Sequence, residues 1–207
     1  MSDTLQGVIT GGLIGLVSAI ATTLLSPFII ERTDRRKRQR ACKAEIFYLV
    51  SMFFSYYKDH IKMVNQHNWQ VRQIDIQREF YHSGKPNSNT ELIKHHLESL
   101  REGATQYLHS IEISFDKLSD TEGKLLANSA EVSHCFEKHI DKSIKKIVNR
   151  IVFLSNNNIE VMDFDTIIAT NIKALSKQFA DLANDKITII QKEYEATINS
   201  LEEIFKD

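Results

Sequence analysis

The sequence predicts an all-α protein: a single N-terminal transmembrane helix followed by a cytoplasmic bundle of long helices, assembled as an oligomer. Three observations predict it. No Asp, Glu, Lys or Arg occurs between Leu5 and Ile30. Glycine and proline are scarce after Ala41, where only Gly84, Gly103, Gly123 and Pro86 occur, and turn-type clusters are confined to Ser83–Asn89 and Ser155–Asn158. Between those few breaks, apolar residues recur at steps of three and four, the period of a helix with one buried face.

The first element is the uncharged segment. As a helix rising about 1.5 Å per residue, Leu5–Ile30 would span roughly 39 Å, enough for a hydrocarbon core of about 30 Å. Backbone amides in lipid must be satisfied within the segment, which selects a helix. Pro27 is expected in its last turn or just beyond, where a missing amide costs little. A cleaved leader needs a basic start and a shorter apolar core; here the start carries Asp3 and the positive charge follows the segment. That charge is Arg32, Arg35, Arg36, Lys37, Arg38 and Arg40, against Glu31 and Asp34. A basic flank stays on the cytoplasmic side and can hold anionic headgroups. The expected topology is single-pass, with the N-terminus outside and the C-terminal domain cytoplasmic; in a bacterial host that membrane is the inner one. Gly7, Gly11, Gly15 and Ala19 repeat every fourth residue, so they share one face on which helix backbones can approach closely. The expected organisation is an anchor over 1–30, a basic juxtamembrane linker over 31–40 and a helical ligand-sensing domain over 41–207.

Four helices are expected in that last domain. The first, about Ala41–His82, carries Ile46, Val50, Phe53, Tyr57, Ile61 and Val64 on one stripe, and its aromatic-rich start (Phe47 to Tyr57, with Trp69) reads as core or subunit interface. The second, about Asn89–Leu118, turns Leu92, Leu97, Leu100, Leu108, Ile111 and Phe115 inward. Ser119 with Glu122 has the spacing of a capping box and is expected to open the third, which carries Leu125, Val132, Phe136, Ile140, Ile144, Ile147, Ile151 and Leu154 and ends at Asn156–Asn158. The fourth begins near Asp165. Its stripe is Ile168, Ile172, Leu175, Phe179 and Leu182, then, after a phase shift, Ile190, Tyr194, Ile198, Leu201 and Phe205. Such long stripes on so few helices suggest that another copy completes the core, as a dimer or tetramer.

Composition excludes several function classes. The 207 residues are 42% hydrophobic and 26% charged with a net charge of -1, which is neither a disordered chain nor a polycation that coats DNA. Two cysteines, Cys42 and Cys135, make no disulfide framework and read as small fillers in a reducing compartment. Cys135 and His139 could share a helix face, but no set of four ligands at zinc spacing exists, so no metal and no cofactor is expected. No nucleophile elbow and no glycine-rich phosphate loop is present, and the chain is read as a non-enzyme.

Two cationic clusters remain as candidate ligand-binding residues. One is Lys94, His95, His96 and Arg101, with Tyr107 and His109 nearby. The other crowds one stretch of the third helix, Lys138, His139, Lys142, Lys145, Lys146 and Arg150, of which Lys142, Lys146 and Arg150 are spaced by four on one face, with Glu137 and Asp141 interleaved. Such donors suit phosphates, and neighbouring aromatic rings suit bases; a solvated helix face would look the same.

The uncharged Leu5–Ile30 segment, the basic Arg32–Arg40 stretch and the helical remainder resemble, as a layout, the small membrane effectors of type III CRISPR systems in vibrios. That resemblance implies a tetramerising helical domain that binds cyclic tetra-adenylate. The expected function is then an antiviral membrane effector. A cyclic oligoadenylate would bridge cationic patches of several subunits and rearrange the anchors to open a pore or disrupt the bilayer. The alternative is a membrane-tethered helical scaffold or adaptor for a protein partner.

Overall fold

From Glu45 to Ser83 the chain places apolar and aromatic residues at alternating steps of three and four, and a helix collects such residues on one stripe. A computed structural model describes the backbone of residues 2–83, 90–158 and 172–206; side chains are described at 23, 27–79, 91–154, 174 and 176–206. Four helices occur among these residues and no strand does: α1 (Ser2–Ser83), α2 (Thr90–Cys135), α3 (Lys138–Asn158) and α4 (Ile172–Ile204). The all-α expectation holds. The chain divides into two units, Met1–Ala44 and Glu45–Asp207.

The first unit is helical. Pro27 lies inside α1 and not at its end as expected, with helix continuing on its far side. Proline contributes no amide hydrogen to the ladder, but a helix can tolerate one such gap when its other turns are intact. Thr33 Oγ1 donates to the Ile29 carbonyl at 2.7 Å, one turn back. The stretch 31–40 is helical as well, and Arg32, Arg35, Arg36, Lys37, Arg38 and Arg40 are all exposed. Among the described residues no helix is long and apolar enough to cross a membrane. The side chains of Gly7, Gly11, Gly15 and Ala19, and most of Leu5–Ile30, lie outside those described.

The second unit is an up-down-up-down arrangement, read from its cross-helix contacts. Along α1, Phe47 meets Phe205, Phe54 meets Tyr194, and Trp69 meets Phe179. Rising numbers on α1 pair with falling numbers on α4, so the two run antiparallel. The same holds for α1 and α2, where Tyr56 faces Lys117, His60 faces Ser114 and His67 faces Ala104. Ser133 reaches Asp141 and Lys145 across the α2–α3 turn, which makes α3 antiparallel to α2. Arg150 reaches Glu193 on α4.

The lower part of this unit is a four-helix core. Ile46, Val50, Phe53, Phe54, Tyr57 and Ile61 of α1 are buried there, with Leu118, Leu125 and Val132 of α2, Ile144, Val148 and Ile151 of α3, and Ile190, Thr197 and Leu201 of α4. The α1 stripe is the expected one, apart from the half-buried Val64. Its rings interlock, Phe53 standing edge-on to Phe54 at 5.5 Å. At the bottom, Phe205 packs on both Phe47 and Phe136 and ties the C-terminal turn to the α2–α3 corner. The upper part is thinner: Phe179 of α4 packs against Trp69 and Ile76 of α1 and against Leu182.

Three expectations are corrected. Ser119–Glu122 does not open a helix; it lies in the middle of α2. Asp120 and Lys124 pair there at one-turn spacing, and the residues read as a cap are mid-helix positions, Ser119 exposed and Glu122 half-buried. The actual break falls at Phe136–Glu137, where no Gly, Pro or Asn marks it. Tertiary contacts make it: Phe136 turns onto Phe205, and Ser133 bonds both side chains of the Asp141–Lys145 pair on α3. Second, the expected inward stripe of α2 is displaced. Leu92, Leu108 and Phe115 are exposed, Leu97, Leu100 and Ile111 are half-buried, and the small Ala104 is the buried residue of that half. Third, on α4 Thr197 is buried where Ile198 was expected, its hydroxyl satisfied by the Glu193 carbonyl at 2.7 Å. The expected start near Asp165 and the residues Ile168, Ile172 and Leu175 fall outside the described side chains.

Two α2 glycines differ in surroundings. A Cβ at Gly103 would come within 2.5 Å of the Gln70 amide, whereas one at Gly123 would meet nothing within 4 Å. Gly123→Ala should therefore stabilise the protein by about 0.5–1 kcal/mol, through the helix preference alone. Gly103→Ala should gain less or lose stability, because Gln70 must move. Phe53→Ala, by contrast, should cost roughly 3–5 kcal/mol. Urea unfolding followed by circular dichroism checks all three.

Candidate functional site

The structure separates the two cationic clusters. Lys138, Lys142, Lys146 and Arg150 project from α3 on the side opposite Ile144, Val148 and Ile151, and all four are exposed. Arg150 donates to Glu193 Oε2 at 2.6 Å, so its charge is partly answered within the chain. Lys138, Lys142 and Lys146 make no ion pair among the described residues. The interleaved Asp141 does not neutralise them: it is bound by Lys145 at 3.0 Å and by the Ser133 hydroxyl at 3.0 Å. The Lys145 hydrogen bond, opposed in part by burial, is the main force holding its carboxyl below the usual value. Glu137 lies 3.5 Å from the exposed His139. The outcome is a row of three unanswered lysines one turn apart.

Lys94, His95, His96 and Arg101 lie near the other end of α2 and are exposed. Ser133 touches the first turn of α3, and 32 residues of helix separate it from Arg101, about 48 Å. Within one chain these residues and the α3 row cannot grip a single small ligand.

The most constrained polar groups were not among the expected site residues. Ile46, Phe53, His60, His67 and Ile74 follow one another at intervals of seven on α1, so two histidines occupy core positions of the repeat. His60 is 2% exposed. Ser114 Oγ donates its hydrogen to the Ile111 carbonyl at 2.8 Å and so accepts from His60 Nδ1–H, also at 2.8 Å. His67 Nδ1 lies 2.9 Å from the Ala104 carbonyl, which can only accept. Both rings therefore carry a hydrogen on Nδ1. The polar run Asn65–Gln70 hid His67, since it reads as a solvated face; its seven-residue spacing from Phe53 and His60 was the available signal.

Asn65 Oδ1 and Gln70 Oε1 are buried without a hydrogen-bond partner. Five residues apart, they point about 140° from one another around α1, so they form no common site. Among the described residues no group of three or more His, Cys, Asp or Glu could hold a metal. Cys42 is buried, Cys135 is half-buried, and no disulfide joins them. The chain matches no known family model, no curated protein and no solved structure.

Burial lowers the pKa of His60 from its ordinary 6.5, partly opposed by the Ile111 carbonyl. The unfolded chain then binds this proton more readily than the folded one, so the contribution is intact above pH 6.5 and is lost as pH falls from there through the folded value. Thermal melts of the full chain from pH 8 to pH 5 should show stability falling on the acid side. His60→Gln should flatten that fall. An equal slope in wild type and variant would remove His60 as its source.

Proposed function

We propose that this chain is a membrane-anchored sensor whose four-helix unit takes an anionic ligand on the outer face of α3. The observation that carries the reading is the row Lys138, Lys142 and Lys146, exposed and without an ion pair among the described residues. Three ammonium groups about 6 Å apart suit successive phosphates of one ligand better than a single carboxylate. The absence of Asp, Glu, Lys and Arg from Leu5–Ile30, followed by six exposed basic side chains, supports an anchor with the bundle on the cytoplasmic side. In a bacterial inner membrane, close association of anchors through Gly7, Gly11, Gly15 and Ala19 would make an assembly that a ligand can rearrange.

The ligand class follows from the resemblance to type III CRISPR membrane effectors: a cyclic oligoadenylate such as cyclic tetra-adenylate. It would bridge α3 rows of neighbouring subunits, because the Lys94–Arg101 cluster of the same chain lies too far away. A ligand that binds one arrangement of subunits more tightly shifts the population toward it, and the shift would loosen the anchors and permeabilise the bilayer. The reading assigns no catalysis to the chain.

A second reading, a membrane-tethered scaffold for a protein partner, is favoured by one feature. Leu108, Phe115 and Leu126 of α2 are large apolar side chains left exposed, as an interaction surface would be.

Titration calorimetry of the full chain in detergent with cyclic tetra-adenylate tests the first reading, with the linear tetranucleotide as control. Ring-specific binding is expected, together with dye release from liposomes holding the protein. The double variant Lys142→Glu, Lys146→Glu should weaken binding by roughly tenfold or more. No heat and no release in the wild type would leave the scaffold reading in front.

A further inference from the structure

We propose that α2 is a self-complementary docking surface for a second copy of this chain, the two α2 helices lying antiparallel across a two-fold axis at Leu108. The observation is a row at intervals of seven: Lys94, Arg101, Leu108, Phe115 and Glu122. All five lie along one flank of the buried face of α2. Lys94 and Arg101 are exposed, Leu108 is 47% exposed, Phe115 is 50% exposed, and Glu122 is half-buried. Lys94, Arg101 and Glu122 make no ion pair among the described residues. Phe115 offers one side of its ring to His60 at a centroid distance of 6.2 Å and leaves half its surface to solvent.

The order of the row selects the partner. Positive charge stands at one end, apolar groups in the middle and negative charge at the other. A two-fold interface places residue i of one copy against residue j of the other and j against i. With the axis at Leu108, Lys94 faces Glu122 of the second copy, Arg101 faces the Phe115 ring, and Leu108 faces Leu108. Each charge meets its opposite or a π-face, and guanidinium over phenyl is a favourable contact. A parallel pairing would set Lys94 on Lys94, Arg101 on Arg101 and Glu122 on Glu122, and like charges so placed are repulsive. The row drifts around the helix by about 20° per seven residues, which a left-handed wrap of two helices takes up. Pairing would also bury the Leu108 and Phe115 surface that the chain itself leaves open. The pairing concerns the four-helix unit and needs no ligand; because α1 runs antiparallel to α2 in each chain, it sets the Glu45 ends of the two units at opposite ends of the pair, so it is an alternative to an assembly packed through the anchors.

Cysteine cross-linking of the full chain in detergent tests it. Leu108→Cys copies should form a disulfide-linked dimer, while Lys94→Cys copies should not, because two-fold symmetry holds those positions about 42 Å apart. In the Leu108→Cys background, Lys94→Glu alone and Glu122→Lys alone should each weaken dimerisation by about tenfold, since symmetry repeats the repulsion twice. The charge-swapped double variant should restore it. Circular dichroism confirms that each variant folds. A monomer at every concentration overturns the proposal. So does cross-linking at residue 94, or a yield at residue 108 that ignores both charge reversals, as association through the N-terminal segment alone would give.

Discussion

The register between α1 and α2 rests on two imidazoles. His60 and His67 stand at core positions of the seven-residue repeat, where neighbours on the same row are Ile46, Phe53 and Ile74. A polar ring buried there is costly unless its hydrogen bond is made. Each makes one, His60 to Ser114 and His67 to Ala104. A slip of α2 by one residue would break both at once and leave the buried His60 donor unsatisfied. Apolar side chains alone would tolerate several registers at similar free energy, whereas these two bonds tolerate one. The lower core, the Gln70–Gly103 approach and the placement of every α2 side chain follow from that alignment.

The remaining contacts around α1 divide by chemistry. Toward α4 the contacts are aromatic, from Phe47 on Phe205 through Phe54 on Tyr194 to Trp69 on Phe179. Edge-on and tilted ring packing has a preferred geometry, but a broad one. Two side-chain bonds refine it, Lys58 to Gln191 at 2.8 Å and Ser51 with Tyr194 at 3.3 Å. Toward α3 the Tyr57 phenol donates to the Leu154 carbonyl at 3.3 Å. Burial raises the pKa of that phenol to about 12, so it keeps its hydrogen throughout the physiological range. The polar contacts at the periphery set orientation, and the buried rings supply most of the stability.

The surface separates into regions of different character. The outer face of α3 is cationic: Glu193 answers Arg150 and Asp141 answers Lys145, while Lys138, Lys142 and Lys146 make no ion pair among the described residues. The open flank of α2 is apolar in its centre with opposite charges at its ends. Because helix geometry holds the Lys94–Arg101 end of α2 far from α3, the two regions act separately. In the readings proposed above, the first takes an anion and the second a copy of itself.

The all-α class and the α1 core stripe were legible in the sequence, because apolar periodicity and scarcity of turn residues are local properties that the helix converts directly into one buried face. Ile46, Val50, Phe53, Tyr57 and Ile61 were placed correctly for that reason. The exposure of Lys142 and Lys146 followed from the same geometry. The sequence did not reveal where α2 ends, since Phe136–Glu137 carries no helix-breaking residue and the break is held by Phe205, distant in the chain. It did not reveal which flank of α2 is covered, since Leu108 and Ala104 are both compatible with a core and only the position of α1 chooses between them. Nor did it reveal that His60 is buried and His67 half-buried, each bonded to α2. Periodicity assigns a residue to a face, but whether a polar residue on that face is buried or wet depends on what another helix places against it.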